Sequence, residues 1–364
     1  MTPSSQSGAP MRQSIRYVTT SDGVQLAWAA SGSGPTMVRA ANWLTHLQYD
    51  LESPVWRHWI RFFARHFHFV RYDERGCGMT QWQVQDVSIP RWLEDLESVI
   101  AAAAPRDPLV LLGISQGAPT AIAYAVRHPE RVSKLVLYGG LCTGWKHRAD
   151  PAGLRLFEAI VELVRHGWGS DNPAFRQVFI SRFVPEASPE QLEWLTELCR
   201  RTTSAEVAVH LLRARSEVDV RELLSRVRVP TLVVHAARDE IIPIDQSRQL
   251  AAGIPGAEFV QVESRNHVLL EGEAAWQRFR DAVLEFTGLG TQVAGTIDRF
   301  CALSPRERAV LGALAAGRSN AEIGAGLHIS DKTVRNMLTR IFDKLGVRSR
   351  AQAIVMARDE GFGG

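Results

Sequence analysis

The sequence predicts an α/β protein, a parallel sheet with helices on both faces, followed by a small module that is helical throughout. Three observations carry this. Short apolar runs suited to buried strands alternate with stretches of helical spacing from about Ser14 to Phe286, the pattern of βα units. The run beginning Leu109-Val110-Leu111-Leu112 ends in Gly113-Ile114-Ser115-Gln116-Gly117, and small residues from Ala118 to Val126 continue as a helix, which makes a strand, a sharp turn and a helix. Beyond the Gly/Thr-rich stretch from Gly288 to Thr296 the strand-like runs cease and short helical segments take over.

In chain order, Ser14 to Thr20 and Val24 to Ala30 alternate as strands, and Ser21-Asp22-Gly23 between them supplies hairpin chemistry. Thr36 to Ala40 reads as a third strand, Pro54 to His66 as a helix, Phe67 to Tyr72 as a buried strand and Asp73 to Gly78 as a loop. Trp92 to Ala104 is a helix leading into the Leu109 strand. Val132 to Tyr138 is another strand, closed by Gly139-Gly140. The alternation breaks between about Leu141 and Leu224, which is mostly helical and contains Trp145, Trp168 and Trp194. An insertion of this length in a compact domain suits a lid, and core packing is the first expectation for its tryptophans. Strands at Pro230 to Ala236 and Glu258 to Val262, with helices near Asp245 to Ala252 and Ala274 to Phe286, complete the layer.

The 364 residues suffice for about two domains, and 45% apolar with 22% charged content is that of an ordinary soluble protein. No apolar run reaches the roughly 18 residues of a membrane span, and the polar start through Gln13 has no signal-peptide centre, so a cytoplasmic protein without membrane contact is expected. Cys77, Cys142, Cys199 and Cys301 lie far apart and indicate neither zinc nor a disulfide framework; no metal or cofactor is expected. The net charge of +3 is unevenly spread: Ala302 to Gly364 holds ten Lys/Arg against six Asp/Glu, so the basic excess belongs to the helical module.

Ser115 is the candidate nucleophile. A serine hydroxyl needs a base within hydrogen-bond reach and a carboxylate to orient that base. Asp239, or its neighbour Glu240, follows the Pro230 strand, and His267 follows the next one. The three therefore fall in loops at the C-terminal edge of one sheet, where open α/β folds place their sites.

With these residues in place, Gly23 to about Gly288 resembles the α/β-hydrolase fold with a helical cap. The resemblance implies that Ser115 is the nucleophile, His267 the general base and Asp239 the residue that orients it; the proline four residues on, Pro243, favours Asp239 over Glu240. It further implies an oxyanion site from the amides of Gln116 and Trp43. Ala41-Asn42 stands where relatives carry His-Gly, which departs from the pattern at the second donor.

In the module, Leu303-Ser304-Pro305-Arg306-Glu307 is a helix start with a capping box. A short helix, Asn320 to Leu327, turns at His328-Ile329-Ser330 into Asp331 to Leu345, where Val334, Leu338, Ile341 and Leu345 form one apolar stripe. With Ser319-Asn320, Glu322-Ile323, Lys332-Thr333-Val334 and Lys344-Leu345-Gly346-Val347, the segment resembles the LuxR-type helix-turn-helix. That implies double-stranded DNA as partner, with Arg335, Asn336 and Thr339 facing bases and Ser330, Lys332, Thr333 and Lys344 near phosphate. Met337 replaces the histidine common in such helices. The helix from Ser349 to Asp359, with Ala353, Ile354 and Ala357, is expected to form a homodimer contact.

The expected organisation is a tail at 1–13, an α/β-hydrolase domain at 14–287 with its cap at about 141–224, a linker at 288–301 and a LuxR-type helix-turn-helix domain at 302–364. The expected function is a transcriptional regulator whose hydrolase domain senses a small ester, lactone or related carbonyl ligand, with or without hydrolysing it. An esterase or lactonase with secondary DNA binding, and a non-catalytic receptor, are the rivals.

Overall fold

The computed structural model describes residues 13–103, 107–290, 300, 303–347, 349–359 and 362. The expected tail, apart from Gln13, and most of the expected linker lie outside the described residues. The chain divides into two compact units, one running to Thr287 and the other beginning at Gly288.

The first unit is built on eight strands: β1 (Arg16–Thr19), β2 (Gln25–Ser31), β3 (Thr36–Ala40), β4 (His68–Tyr72), β5 (Leu109–Ile114), β6 (Val132–Tyr138), β7 (Thr231–Ala236) and β8 (Glu258–Val262). They lie in the order β1-β2-β4-β3-β5-β6-β7-β8. From β4 to β8 the sheet is parallel and β2 pairs antiparallel with β1, both as expected, but β2 also runs antiparallel to β4. Connection length explains the reversal. Gly23, at φ +85°, closes the β1–β2 turn, and only four residues join β2 to β3, whereas a parallel crossover needs a dozen or more. Gly32 in that short link passes so close to helix and strand backbone that a Cβ there would lie 1.9 Å from the Ala64 carbonyl oxygen.

Helices cover both faces. Those of this unit are α1 (Arg57–His66), α2 (Ile89–Ala103), α3 (Gly117–Arg127), α4 (Trp145–Arg148), α5 (Pro151–Gly167), α6 (Ala174–Ser181), α7 (Pro189–Thr202), α8 (Ala205–Ser216), α9 (Arg221–Leu224), α10 (Ile244–Gly253) and α11 (Ala274–Thr287). Rings from α1 and α11 make one aromatic layer: Trp59 lies 4.7 Å from Trp276 and 4.8 Å from Phe279, and 5.2 Å from Tyr138 of β6. Alternate strand residues, among them Val70, Leu111, Leu137 and Val233, point into the aliphatic core shared with α2, α3 and α10.

Helices α4 to α8 form the cap. It contains one isolated antiparallel bridge, Thr143 to Asp219, and is otherwise helical as expected. Its tryptophans divide. Trp168 is fully buried, stacks on Trp43 at 5.2 Å and donates its indole N–H to the Thr203 carbonyl, and Trp194 stacks on Tyr49 at 4.2 Å. Trp145 lines a cavity.

The second unit comprises α12 (Pro305–Ala315), α13 (Asn320–Leu327), α14 (Asp331–Leu345) and α15 (Arg350–Asp359). The capping box of α12 has both bonds, Glu307 N–H to Ser304 Oγ at 3.3 Å and Ser304 N–H to Glu307 Oε2 at 2.7 Å. Val334, Leu338, Ile341 and Leu345 are buried in one cluster with Val310, Leu311 and Leu314. Ala353 and Ala357 belong to the same cluster and are fully buried. This corrects the expectation for α15: the face proposed for a homodimer is consumed within the module, because small residues let α15 lie close against α12.

Candidate active site and nucleic-acid face

Strand β5 and helix α3 meet so tightly that only glycine fits on either side of the serine. A Cβ at Gly113 would sit 2.8 Å from the Ala118 Cα, and one at Gly117 would sit 2.7 Å from the Ala40 carbonyl oxygen. The turn between them holds Ser115 at φ 51°, a left-handed conformation that a non-glycine residue adopts only under constraint from its surroundings. The Ser115 amide is fixed to the Tyr138 carbonyl at 2.8 Å.

The structure brings the three expected side chains together. His267 Nε2 lies 2.8 Å from Ser115 Oγ, and His267 Nδ1 lies 2.5 Å from Asp239 Oδ2. All three are buried. Asp239 Oδ1 accepts the amides of Ile241 and Ile242 at 2.8 and 3.1 Å. Burial pulls the Asp239 carboxyl toward neutrality, but the His267 charge and hydrogen bond outweigh it and hold the group below its ordinary value. Glu240 is exposed and paired with Arg265 at 2.8 Å, which leaves Asp239 as the carboxylate on the histidine.

Sequence reasoning missed two supports of this array. His235, fully buried on β7, lies 3.7 Å from Asp239 and is held by Ser247 Oγ and the Ile242 carbonyl. Gly139 follows β6 at φ +54°, and a Cβ there would come within 3.1 Å of the His267 ring. The Gly139-Gly140 pair was legible, but its relation to His267 is set by strand order.

Among the described residues, neither the Gln116 nor the Trp43 amide donates to a protein acceptor. Both residues line a hollow of about 30 Å³ together with Ser115 and His267. Asn42, buried beside Trp43, donates from Nδ2 to the Trp43 carbonyl at 3.2 Å, while its Oδ1 has no partner among the described residues. Trp43, Gln116 and Phe183 also border a second chamber of about 80 Å³ under the cap.

In the module, α13 turns into α14 through His328 at φ 53°, and Gly324 permits the close crossing, since a Cβ there would meet the Ile329 carbonyl oxygen at 2.7 Å. Ser330 caps α14, accepting the Thr333 amide at 3.2 Å. Ser330, Lys332, Thr333, Arg335, Asn336 and Thr339 are all exposed on the side opposite the buried stripe. Arg335 pairs with Asp331 at 2.9 Å, and Thr339 Oγ1 donates to the Arg335 carbonyl. Lys344, expected near phosphate, keeps a partly exposed side chain. Its ammonium is held 2.7 Å from Glu307 Oε2, so its charge is engaged in joining α14 to the start of α12.

Among the described residues no helix is long and apolar enough to cross a membrane, and no cluster of three or more His, Cys, Asp or Glu could hold a metal ion. Comparison with known proteins places residues 58–272 in the family described as serine aminopeptidase, S33, and residues 301–357 in the bacterial regulatory proteins of the luxR family. The AB hydrolase superfamily protein YisY of Bacillus subtilis is 26% identical over 257 residues, covering 69% of this chain and 91% of that protein. The probable HTH-type transcriptional regulator GfsR of Streptomyces halstedii is 45% identical over 69 residues, covering 19% of this chain and 28% of that protein. The crystal structure of a hydrolase from Pseudomonas aeruginosa superposes with a TM-score of 0.63 at 24% identity, covering 75% of this chain and 98% of that one.

Proposed function

Since the chain belongs to the S33 serine hydrolase family of α/β-hydrolase fold and carries a C-terminal luxR-family DNA-binding domain, we propose that it is a transcriptional regulator whose hydrolase domain senses and hydrolyses a small ester, lactone or related carbonyl compound. The observation that carries the reading is the unbroken Ser115–His267–Asp239 line, at 2.8 and 2.5 Å, in the same chain as an exposed recognition helix.

In this reading His267 takes the Ser115 proton as the hydroxyl attacks the carbonyl carbon, and Asp239 stabilises the imidazolium that results. The Gln116 and Trp43 amides, free of protein acceptors among the described residues, are the donors for the oxyanion. On DNA, Arg335, Asn336 and Thr339 face base edges, and Ser330, Lys332 and Thr333 lie near phosphate. A homodimer would use the outer face of α15, where Val355 is 60% exposed, because the inner face is filled.

The test is covalent. A fluorophosphonate should add one adduct to the intact protein and none to Ser115→Ala. Labelling that persists in Ser115→Ala would assign the chemistry to another residue.

A further inference from the structure

The chamber under the cap is lined by three arginines, Arg148, Arg182 and Arg215, and by neither Asp nor Glu. Its remaining wall is largely apolar and aromatic, with Trp145 and Phe157 among its residues, and it reaches Gln116 beside the nucleophile. Several other arginines of the cap are matched to carboxylates, Arg213 to Glu158, Arg221 to Asp219, and Arg200 and Arg201 to Glu197, while Arg176 is held by the carbonyls of Gly167, Trp168 and Ser170.

The three chamber arginines are not equivalent. Arg215 is 7% exposed; it pairs with buried Glu74, donates to the Gln116 carbonyl at 3.3 Å and lies over the Trp92 ring, leaving Nε buried with no acceptor. Among the described residues Arg148 and Arg182 have no carboxylate within ion-pair distance. Arg182 donates to the Glu240 carbonyl at 3.3 Å. Arg148 lies over the Trp145 ring at 5.5 Å, and its Nη1 is buried without an acceptor. Burial disfavours the Arg148 charge, and its pKa is lowered. A buried guanidinium donor left without an acceptor is costly, and an anion delivered by a ligand removes that cost.

A larger hollow of about 480 Å³ adjoins the chamber and shares Trp145, Arg148, Arg182 and Ile241 with it, so these arginines stand where the two spaces meet. The acids in that hollow, Glu240 and Asp245, are already bound to Arg265 and Arg248. We propose that the site takes an anionic acyl compound, an ester or lactone bearing a carboxylate, and that Arg148, aided by Arg182, holds that carboxylate while the carbonyl reaches Ser115. A carboxylate suits the place, because its oxygens accept from guanidinium donors, and Arg148 Nη1 is such a donor left without an acceptor at a small, largely apolar space. The proposal rests on the hydrolase reading above and adds the charge of the ligand to it.

The experiment compares monoethyl esters of linear dicarboxylic acids with the matching neutral diethyl esters. Each is titrated calorimetrically into full-length Ser115→Ala protein, which cannot turn them over. The expected result is a preference of about tenfold or more for the monoesters. That preference should fall toward unity in Ser115→Ala/Arg148→Gln, shrink with Arg182→Gln, and persist with Arg155→Gln, a change at an exposed cap residue away from the chamber. Diesters binding as well as monoesters, no binding by any monoester, or a preference untouched by both chamber substitutions would overturn the proposal. Fluorophosphonate labelling of the wild-type protein, run alongside, reports the hydrolase reading separately, so its failure is not mistaken for failure of the charge assignment.

Discussion

The backbone N–H of His267 donates to the carbonyl of Phe183 at 2.8 Å, and the two rings meet edge to face at 5.8 Å. Phe183 lies just beyond α6 in the cap, so the loop that carries the base is hung from the element that roofs the cavity. The Val268 amide reaches the same carbonyl at 3.4 Å and the Glu186 amide donates to Asn266 Oδ1 at 3.0 Å, so movement of the cap acts on the imidazole through several hydrogen bonds.

His267→Ala should slow fluorophosphonate labelling of Ser115 by about 10²–10⁴-fold, the usual contribution of a positioned base. His235 cannot substitute for it, because both of its ring nitrogens are already occupied by Ser247 and Ile242. Time-resolved intact-mass measurement gives the rate, and labelling at the wild-type rate would show that Ser115 is activated by something other than this histidine.

Arg335→Ala should cost about 1–3 kcal/mol of specific DNA binding if its guanidinium reads a guanine edge. In the free protein that guanidinium is held by Asp331 across one helical turn, so Asp331→Ala should release it and raise affinity. Gel-shift titrations on cognate and scrambled duplexes separate the two. Unchanged sequence preference in Arg335→Ala would remove it from the reading face.

Glu307 predicts a pH dependence of the helical module. The Lys344 ammonium first, then the Ser304 amide, lower its carboxyl from 4.5 to about 2. A depressed carboxylate stabilises the fold above its unfolded value, so this contribution is full at neutral pH, declines as pH falls below about 4.5, and is gone below about 2. Hydrogen exchange in α12 and α14, corrected for intrinsic rates, should show that loss in wild type and a flatter profile in Glu307→Gln. Lys344→Ala should loosen the same helices without changing the salt dependence of DNA binding; a lowered salt slope would return Lys344 to the phosphate contacts.

Ligand and operator should be coupled. A coupling of about 1–3 kcal/mol, or roughly 5- to 150-fold in affinity, is ordinary for allostery, and linkage makes it reciprocal. Operator affinity of Ser115→Ala should change by that factor on saturation with a bound monoester, and ligand affinity should change equally on adding operator. Identical operator affinity with and without saturating ligand would leave an enzyme joined to a DNA anchor.

Most of the scaffold was legible because periodicity and turn chemistry are local. Gly-x-Ser-x-Gly announced the β5–α3 turn, and Ser304 with Glu307 announced α12. Ser21-Asp22-Gly23 announced the antiparallel β1–β2 pair, the reversal of β2 against the parallel strands could be inferred only from its four-residue link to β3, and the pairing of β2 with β4 is a long-range choice. Asp239, His267 and Ser115 were readable from their positions after strands. His235 looked like any strand residue, and the partners of Lys344, Ala353 and Ala357 depend on helix packing that no single periodic stripe discloses. The arginines of the chamber were invisible for the same reason, since their meaning lies in which carboxylates they lack.

The hollow at the serine and the chamber beside it, about 30 and 80 Å³, are well below the roughly 300 Å³ at which ligand pockets usually begin. A carbonyl compound that outgrows these spaces displaces their lining side chains on arrival and again on departure. Escape is then slow for the same reason that entry is. If cleavage outpaces escape, each occupancy ends by chemistry, and the time for which the protein remembers a molecule is set by its own turnover. Such a receptor reports how fast the compound is being supplied, and it resets itself when supply stops.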